Sequence, residues 1–183
     1  MTVLVRRVRA DEWVAVRELR LQALEDPAAS IAFLDTRENA GLRDDAFWQA
    51  RAAGAADTDA VAQFVAVVGE SWIGSVSVRR LEAGSTDGHG RTQDRSRGDV
   101  VGVYVHPDHR GTGVIDELFA AAAAWSRGYG DDRLVLEVHA DNARAQSAYR
   151  RAGFRPTGLR FVGPIGDEFE MALGLDQSGS VPS

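Results

Sequence analysis

The sequence predicts a single mixed α/β domain, and three observations support that prediction. The chain has 183 residues, 44% of them hydrophobic, which suits one substantial core better than two. Short β-branched runs alternate with segments whose apolar residues recur at helical spacing. The second half follows the order strand, glycine turn, helix, strand, helix. We therefore expect one domain over residues 1–175, followed by a disordered tail over residues 176–183.

The first third of the chain predicts one strand and two helices. Residues 3–8 contain three valines and two arginines, which indicates a short strand. Asp11 is a suitable N-cap for the helix that follows, and this helix should stop before Pro27. The next stretch is irregular, and a second short helix is predicted near residues 44–54.

A hairpin and a long loop are predicted next. Residues 63–68 and 71–79 are apolar and β-branched, and Gly69 and Glu70 separate them, so they indicate two antiparallel strands. Residues 82–98 are rich in Gly, Ser, Thr, Asp and Arg and have no periodicity. That composition predicts a loop longer than most connections, which we expect to protrude into solvent.

The second half predicts the remaining elements. Residues 99–106 form an apolar run that Pro107 should end, which indicates a strand. The elements that follow from the same spacing arguments are a helix over 113–127, a strand over 134–139, a helix over 143–152, and strands over 154–161 and 169–173.

Charge and composition exclude several classes of function. Acidic residues number 27 and basic residues 21, so the net charge is -6 and offers no overall positive field to a nucleic acid. Every basic residue is an arginine. The absence of lysine excludes Schiff-base chemistry and a Walker A phosphate loop. The absence of cysteine excludes a thiol nucleophile, a disulfide and a thiolate metal site.

Nothing in the sequence resembles an export signal or a membrane span. The first residues are not followed by a long apolar run with a small-residue cleavage site. No uncharged apolar stretch approaches the roughly 20 residues that cross a bilayer. We therefore expect a cytoplasmic protein with no membrane partner.

The stretch with the clearest chemical meaning is PDHRGTGVI, residues 107–115, which joins a predicted strand to a predicted helix. A glycine turn at a helix N-terminus presents unpaired backbone N–H groups and the positive end of the helix dipole. Gly111 and Gly113 supply the turn, and Arg110 adds a cation. This pattern is typical of an anion cradle that accepts a diphosphate, although an ordinary strand-to-helix turn uses glycines in the same way.

Two linked motifs resemble the GCN5-related N-acetyltransferase (GNAT) superfamily. The run from Val103 to Gly113 has the pattern V-x-V-x-P-x-x-R-G-x-G. Residues 136–154, LEVHADNARAQSAYRRAGF, are similar to the family's strand, Asn, helix Tyr and Gly-Phe block at the expected spacing. The resemblance implies a GNAT-like α/β (α+β) fold, with a mixed, mostly antiparallel sheet of six to seven strands flanked by about four helices. It also implies acetyl-CoA as cosubstrate and no metal.

The resemblance implies which residues hold acetyl-CoA. The strand before the turn would line the pantetheine arm, the turn would hold the pyrophosphate, and residues of the later helix would flank the thiol end. The implied set is Val103, Tyr104, Val105, Arg110, Gly111, Thr112, Gly113, Val114, Ile115, Asn142 and Tyr149. Ile115 departs from the family's small residue at its position, and its place on the core face of the helix also fits packing against the sheet.

Acid–base chemistry has three candidate residues. An alkylamine with a pKa near 10.4 is almost fully protonated at neutral pH, so a general base is useful. Glu137 is the first candidate, since its spacing to Tyr149 resembles that in ribosomal-protein N-terminal acetyltransferases and a semi-buried carboxylate would have a raised pKa. Asp99 is the alternative base, expected to share a strand face with Val103 and Val105. Tyr149 is the candidate acid for the leaving thiolate.

The expected reaction is direct attack of a primary amine on the acetyl thioester in a ternary complex. The amine belongs to a small molecule, including a cationic one, or to a peptide, and the sequence does not identify it. The alternative function is a non-catalytic acyl-CoA-binding module, and a homodimer is compatible with the resemblance. A metal site at His106, Asp108 and His109 is disfavoured, because their loop spacing lacks the helical H-E-x-x-H geometry.

Overall fold

The computed structural model describes residues 2–175, which form one seven-stranded sheet with helices on both faces. The strands are β1 (Leu4–Arg7), β2 (Val61–Val68), β3 (Ser71–Leu81), β4 (Arg97–Val105), β5 (Arg133–His139), β6 (Arg155–Gly163) and β7 (Gly166–Gly174). The α-helices are α1 (Trp13–Ala23), α2 (Arg37–Gly41), α3 (Asp45–Asp57), α4 (Val114–Gly128) and α5 (Ala143–Arg151). The predicted tail over residues 176–183 lies outside the described residues. No helix within residues 2–175 is long and apolar enough to cross a membrane.

The sheet has the strand order β1-β2-β3-β4-β5-β7-β6. Neighbouring strands are antiparallel except for β4 and β5, which run parallel. Helix α4 connects β4 to β5, because two parallel strands need a crossover connection. The predicted fold class, a mixed and mostly antiparallel sheet with about four substantial helices, is confirmed.

Apolar side chains cover both faces of the sheet. On one face, α4 packs its buried Leu118 and Phe119 against residues of β2 to β5 and β7. On the other face, α1 and α3 bury Val16 and Trp48 over β2 and β3. Strands with both faces covered are buried nearly throughout, as the continuous apolar runs of β2 and β3 predict.

An irregularity in β4 changes which side chains face α4. Ser77 pairs with Val101 and Ser75 pairs with Tyr104, so β4 holds one residue more than β3 between these pairs. Gly102 lies in this bulge with a φ of 63°, a conformation that favours glycine. The alternation of side chains along β4 therefore shifts by one residue after the bulge.

Strands β4 and β5 separate soon after they begin. Gly98 pairs with Leu134 and Asp99 pairs with Val135, and beyond these pairs β5 continues against β7 alone. The second half of β4 is bonded to β3 on one side. Its other side has no strand neighbour among residues 2–175, and this open edge ends at the turn that leads into α4.

Every element predicted from the sequence has a counterpart in the structure, with ends displaced by a few residues. The short α2 was not predicted. The expectation that residues 82–98 protrude is wrong, because residues 82–96 fold back on the sheet and β4 begins at Arg97. Asp87 within this loop is only 8% exposed.

Candidate active site

The turn between β4 and α4 presents a row of backbone donors. Gly111 and Gly113 have φ values of 76° and 89°, and Gly113 is the N-cap of α4. Among the described residues, none accepts a hydrogen bond from the backbone N–H groups of residues 111–115. The first N–H groups of a helix have no partner within the helix, and the helix dipole favours an anion beside them. The turn therefore suits a phosphate or a diphosphate.

Arg110 is tied to its surroundings by two contacts. Its guanidinium is paired with Asp26, and its Nε donates to the carbonyl of Val105 at 2.9 Å. The side chain of Asp26 is 4% exposed and also accepts from Arg144 at 3.2 Å. Burial opposes the charged carboxylate, but hydrogen bonds from Arg110 and Arg144 help to hold the pKa of Asp26 below its usual range. These contacts join the turn to the end of α1 and to the start of α5.

Helix α5 carries Asn142 and Tyr149. Asn142 is buried, and its side-chain oxygen accepts the N–H of Ala145 at 3.2 Å, so it caps α5. The Tyr149 ring packs edge-on against Phe119, with 5.8 Å between ring centroids, and also lies near Phe154. Burial raises the pKa of Tyr149 to about 12. Its hydroxyl is protonated at neutral pH and has no hydrogen-bond partner among residues 2–175, so it can donate to a ligand.

Glu137 lies in the middle of β5 and contacts the loop over residues 82–96. His89 Nε2 in that loop is 2.6 Å from Glu137 Oε1, and the imidazole lies 4.2 Å from the Phe161 ring, centroid to centroid. The side chain of Glu137 is 44% exposed, more than the expected semi-burial. A histidine that sequence reasoning left out is therefore in direct contact with the candidate base.

Asp99 does not lie where the sequence predicted. Val103 and Val105 pack on the α4 face, in the core with Val100. Asp99 precedes the bulge and pairs with Arg79 on the opposite face. The expectation that Asp99 shares a face with Val103 and Val105 is wrong, because the extra residue in β4 shifts the alternation.

Asp99 nevertheless lies on the same face of the sheet as Glu137. It pairs with Val135 across the parallel register, two residues before Glu137 on β5. Burial raises the pKa of Asp99, and the charges of Arg97 and Arg79 oppose that rise. The nearest cationic atom is Arg97 Nε, 2.8 Å from Asp99 Oδ1.

The folded-back loop is held by four charged side chains that we call the loop ion cluster: Asp87, Arg91, Arg97 and Glu170. Arg91 contacts Asp87 at 2.8 Å and Glu170 at 2.5 Å. Arg97, 4% exposed, lies 3.5 Å from Asp87 and 3.7 Å from Glu170. Charges as little exposed as Asp87, Arg97 and Glu170 are stable only when each has an opposite partner, and each member of the cluster has at least two. The cluster fixes the loop that carries His89.

Sequence reasoning missed Asp26 and His89. Asp26 follows α1 in an irregular stretch, and no local pattern marks it as the partner of an arginine 84 residues later. His89 lies in a loop without periodicity, 48 residues before Glu137. Only its place between two glycines, Gly88 and Gly90, hinted at a tight turn.

Within residues 2–175, no group of three or more His, Asp or Glu side chains is arranged to hold a metal.

Comparison with known proteins gives a consistent family. The sequence model of the Acetyltransferase (GNAT) family matches residues 13–154. The aminoglycoside N(6')-acetyltransferase type 1 of Stenotrophomonas maltophilia is 35% identical over 66 residues, which is 36% of this chain and 43% of that protein. The matched region thus spans less than half the length of that relative.

Solved structures share the fold. A GNAT-family acetyltransferase from Streptococcus pneumoniae superposes with a TM-score of 0.74 at 17% identity, over 96% of this chain and 100% of that one. The protein yncA from Salmonella typhimurium, solved with its cofactor acetyl-CoA, gives a TM-score of 0.67 at 20% identity, over 100% and 99% of the two chains. AAC(6')-Iy, in complex with a CoA-acetylneamine bisubstrate analogue, gives 0.66 at 21% identity, over 87% and 95%.

Proposed function

The chain belongs to the GNAT acetyltransferase family, and on that premise we propose that it transfers an acetyl group from acetyl-CoA to a primary amine of a small molecule or peptide. The amine attacks directly in a ternary complex. The observation that best supports this function is the row of unpaired N–H groups at residues 111–115 beside the open edge of β4. A diphosphate needs the N–H donors of the turn, and an amide-containing arm needs the backbone donors and acceptors of an open strand edge.

The residues present fit acetyl-CoA, and each has a defined task. The backbone of residues 103–105 would hold the pantetheine arm, and the N–H groups of residues 111–115 would hold the diphosphate. When bound, acetyl-CoA supplies an acyl group activated as a thioester. Arg110 is already paired with Asp26, so we expect it to keep the turn in shape as well as to face the diphosphate. The side chain of Ile115 packs against the core, so its backbone N–H remains available to the diphosphate.

Deprotonation of the amine is assigned first to Glu137. Its carboxylate is exposed enough to meet an incoming amine, and His89 holds one of its oxygens. Asp99 stays the alternative base: its raised pKa brings it closer to neutral pH, but the cation of Arg97 lies 2.8 Å from one of its oxygens.

Tyr149 is assigned to the leaving sulfur. A phenol with a pKa of about 12 gives up its proton less readily than a thiol with a pKa near 8.5. We therefore expect Tyr149 to stabilise the departing thiolate by donating a hydrogen bond to it. A cytoplasmic location and a homodimer stay predictions from the sequence.

The proposal is tested by free-thiol release from acetyl-CoA with a panel of amines and peptides. We expect amine-dependent release by the wild type, and a loss of about 10²-fold or more in turnover for Tyr149→Phe. The melting temperature and the affinity for CoA should hold, because the ring remains. Tyr129→Phe removes a phenol hydroxyl far from this site and should keep the wild-type rate. CoA binding without amine-dependent release from any acceptor would establish the acyl-CoA-binding module instead.

A second pair of variants separates the two candidate bases. Glu137→Gln keeps the shape of the side chain but cannot take a proton, so it should lower turnover and flatten the acid limb of the pH profile for an alkylamine. Asp99→Asn should leave that limb in place. Glu82→Gln, in the same loop region and exposed, serves as the control. If Asp99→Asn flattens the limb and Glu137→Gln does not, Asp99 is the base.

A further inference from the structure

A second polar pocket lies beside the proposed reaction site, between α1, α3 and the sheet. It is a small cavity that is partly open to solvent. It opens on the face of the sheet that carries Asp99 and Glu137, since Ser77 in its floor pairs with Val101 on that face. We call it the arginine pocket, and its lining is Leu19, Arg20, Ala23, Arg51, Gln63, Ser75, Ser77 and Gly102. Gly102 is the bulge residue of β4, so the pocket adjoins the strand assigned to the pantetheine arm.

The two arginines of this pocket have no partner. Among residues 2–175, no acceptor is hydrogen-bonded or ion-paired to the guanidinium of Arg20 or Arg51, whereas Arg6, Arg7 and Arg110 are each held by two or more contacts. Arg20 lies over the Phe33 ring, with 4.5 Å from its guanidinium carbon to the ring centroid, so its plane is supported but its donors are unused. Two guanidinium groups without an ion partner thus line one partly open space, Arg20 half-buried and Arg51 exposed.

The electrostatics of the arginine pocket are uncompensated. Burial, followed by the neighbouring charge of Arg51, lowers the pKa of Arg20 to about 10. Burial also lowers the pKa of Arg51, and the charge of Arg43 adds to the effect. Asp35 is the carboxylate that opposes these shifts, and it is already paired with Arg43 at 2.5 Å. The pocket lining itself contains no acidic residue.

The floor of the arginine pocket is polar and also unpaired. Gln63, Ser75 and Ser77 are 7%, 6% and 7% exposed, and no hydrogen bond within residues 2–175 engages their side chains. Their polar atoms are not among the fully buried unpaired ones, so they are open to the pocket. These hydroxyl and amide groups are therefore free to bond a ligand that enters it.

The donors define the chemistry of that ligand. Two guanidinium forks, two hydroxyl groups and an amide together favour a group that only accepts hydrogen bonds and carries negative charge. A planar carboxylate matches a guanidinium fork with two parallel hydrogen bonds. An ammonium or a polycation would meet repulsion from both arginines. The amine of the acceptor must then lie outside the pocket, toward Glu137 and Asp99.

We propose that the arginine pocket binds the carboxylate of the acceptor, so that the substrate of this enzyme is an amino acid or another amine that carries a carboxylate. The proposal rests on the proposed N-acetyltransferase function. Strand β3, which carries Ser75 and Ser77, lies two strands from β5. Because β4 and β5 diverge before Glu137, the distance there exceeds two regular strand spacings, roughly 10 Å. The acceptor therefore needs a separation of amine and carboxylate that spans this distance.

The test is a set of matched acceptors and matched variants. The acceptors are the L-amino acids, β-alanine, 4-aminobutyrate and 5-aminovalerate, each beside its carboxamide, with cadaverine and neamine as cationic amines without a carboxylate. We expect the best free acid to exceed its amide in kcat/KM by about 10-fold or more. Arg20→Gln and Arg51→Gln should each lower kcat/KM for that acid by about 10- to 100-fold, mainly through KM, with little change for the amide. Arg17→Gln, on the same helix as Arg20, is the control.

Three outcomes of these assays would overturn the proposal. An amide or a cationic amine could be the best acceptor, the two variants could leave the preference for the acid unchanged, or they could weaken CoA binding as much as they weaken the acceptor. The last result would assign the pocket to a phosphate of CoA. Any of these results leaves amine-dependent thiol release intact, so it is distinct from failure of the proposed function.

A binding measurement tests the pocket even without turnover. Sodium acetate, titrated against sodium chloride at constant ionic strength, should raise the melting temperature of the wild type and not that of the Arg20→Gln, Arg51→Gln double variant. Inorganic phosphate is the second probe. If acetate stabilises both proteins equally or neither, or if phosphate alone stabilises the wild type, the pocket is not a carboxylate site.

Discussion

Two groups of arginines lie over the same face of the sheet and differ in how their charge is balanced. In the loop ion cluster, Arg91 and Arg97 each contact Asp87 and Glu170. In the arginine pocket, Arg20 and Arg51 share a cavity, and no carboxylate among residues 2–175 is paired with either. The first arrangement pairs its charges within the chain, and the second leaves a half-buried Arg20 and an exposed Arg51 without a carboxylate partner among the described residues. Balanced charge indicates a structural role, and unbalanced charge in a cavity indicates binding.

Acidification should produce the largest change. It should act on the loop ion cluster and on Asp26, whose pKa is also lowered, and not on the arginine pocket. Burial opposes ionisation of Asp87 and Glu170, but their hydrogen bonds outweigh burial and lower the pKa of both. A lowered pKa in the folded state contributes stability above the unfolded pKa of about 4, and this stability is lost as the pH falls through the folded pKa. Urea unfolding at about pH 7, 5 and 3 should therefore show a steep loss below about pH 4.

The same titration in Asp87→Asn identifies the source of that loss. Burial raises the pKa of Asp99 and of Glu168, so these groups take up protons first and oppose a loss of stability between neutral pH and about pH 5. The variant should be less stable at neutral pH and should lose less on further acidification. An identical slope below about pH 4 in both proteins would show that Asp87 does not carry the effect.

The next largest effect is expected for Asp87→Ala. Removal of one member of a buried ion network leaves the other charges uncompensated, which costs about 3 kcal/mol of unfolding free energy. The loop can detach from the sheet, so the cost lies at the lower end of the range for buried pairs. Asp94→Ala, an exposed change in the same loop, should stay within about 0.5 kcal/mol of the wild type. Equal stability of the two variants would remove the cluster as a structural element.

The same substitution, arginine to glutamine, should have opposite effects on stability in the loop ion cluster and in the arginine pocket. Arg97→Gln should lower the free energy of unfolding by about 2 kcal/mol, because Asp87 and Glu170 lose a buried partner. Arg51→Gln should leave it unchanged or raise it by up to about 1 kcal/mol, because the charge removed is repelled by Arg20. Denaturant unfolding of both variants shows whether each substitution lowers or raises the free energy of unfolding. A loss of stability in Arg51→Gln equal to that in Arg97→Gln would mean that the pocket arginine is structural.

The smallest effect is expected for His89→Gln, because His89 belongs to the loop that the loop ion cluster holds and also contacts the candidate base Glu137. The ion cluster holds the loop, and the loop brings His89 to Glu137. Glutamine still donates one hydrogen bond but cannot carry a proton at neutral pH, so turnover should fall by only about 2- to 10-fold with a shifted acid limb of the pH profile. Stability should hold. His106→Gln, away from Glu137, is the control, and an unchanged profile in His89→Gln would limit His89 to loop packing.

The sequence predicted the parts of the fold and the site that depend on local pattern. The turn PDHRGTGVI predicted a helix start with unpaired N–H groups, and Gly113 caps α4 there. The prediction that Asp11 caps α1 is wrong by one residue, since Glu12 is the N-cap of α1. The core face of Ile115 followed from helical spacing and is confirmed by its packing against the core. Each of these features depends on residues within one or two turns of chain.

The parts that were missed depend on one residue or on distant contacts. The bulge at Gly102 reversed the face expected for Val103 and Val105, and period-two alternation gives no warning of an inserted residue. The loop over residues 82–96 lacks periodicity, so its composition indicated solvent exposure. Its buried position comes from Glu170, which follows Arg91 by 79 residues.

The elements of this protein, the anion-binding turn and the family resemblance are all readable from local sequence, because hydrophobic period, glycine conformation and helix capping act over a few residues. The pairing of charges depends instead on the tertiary fold. Arg20, Arg51, Arg91 and Arg97 look alike in the printed sequence, and nothing local distinguishes them. Whether an arginine is neutralised within the chain depends on carboxylates brought near it by folding. Folding brings carboxylates to the arginines of the loop ion cluster and none to those of the arginine pocket among the described residues. We therefore assign the first group to stability and the second to binding.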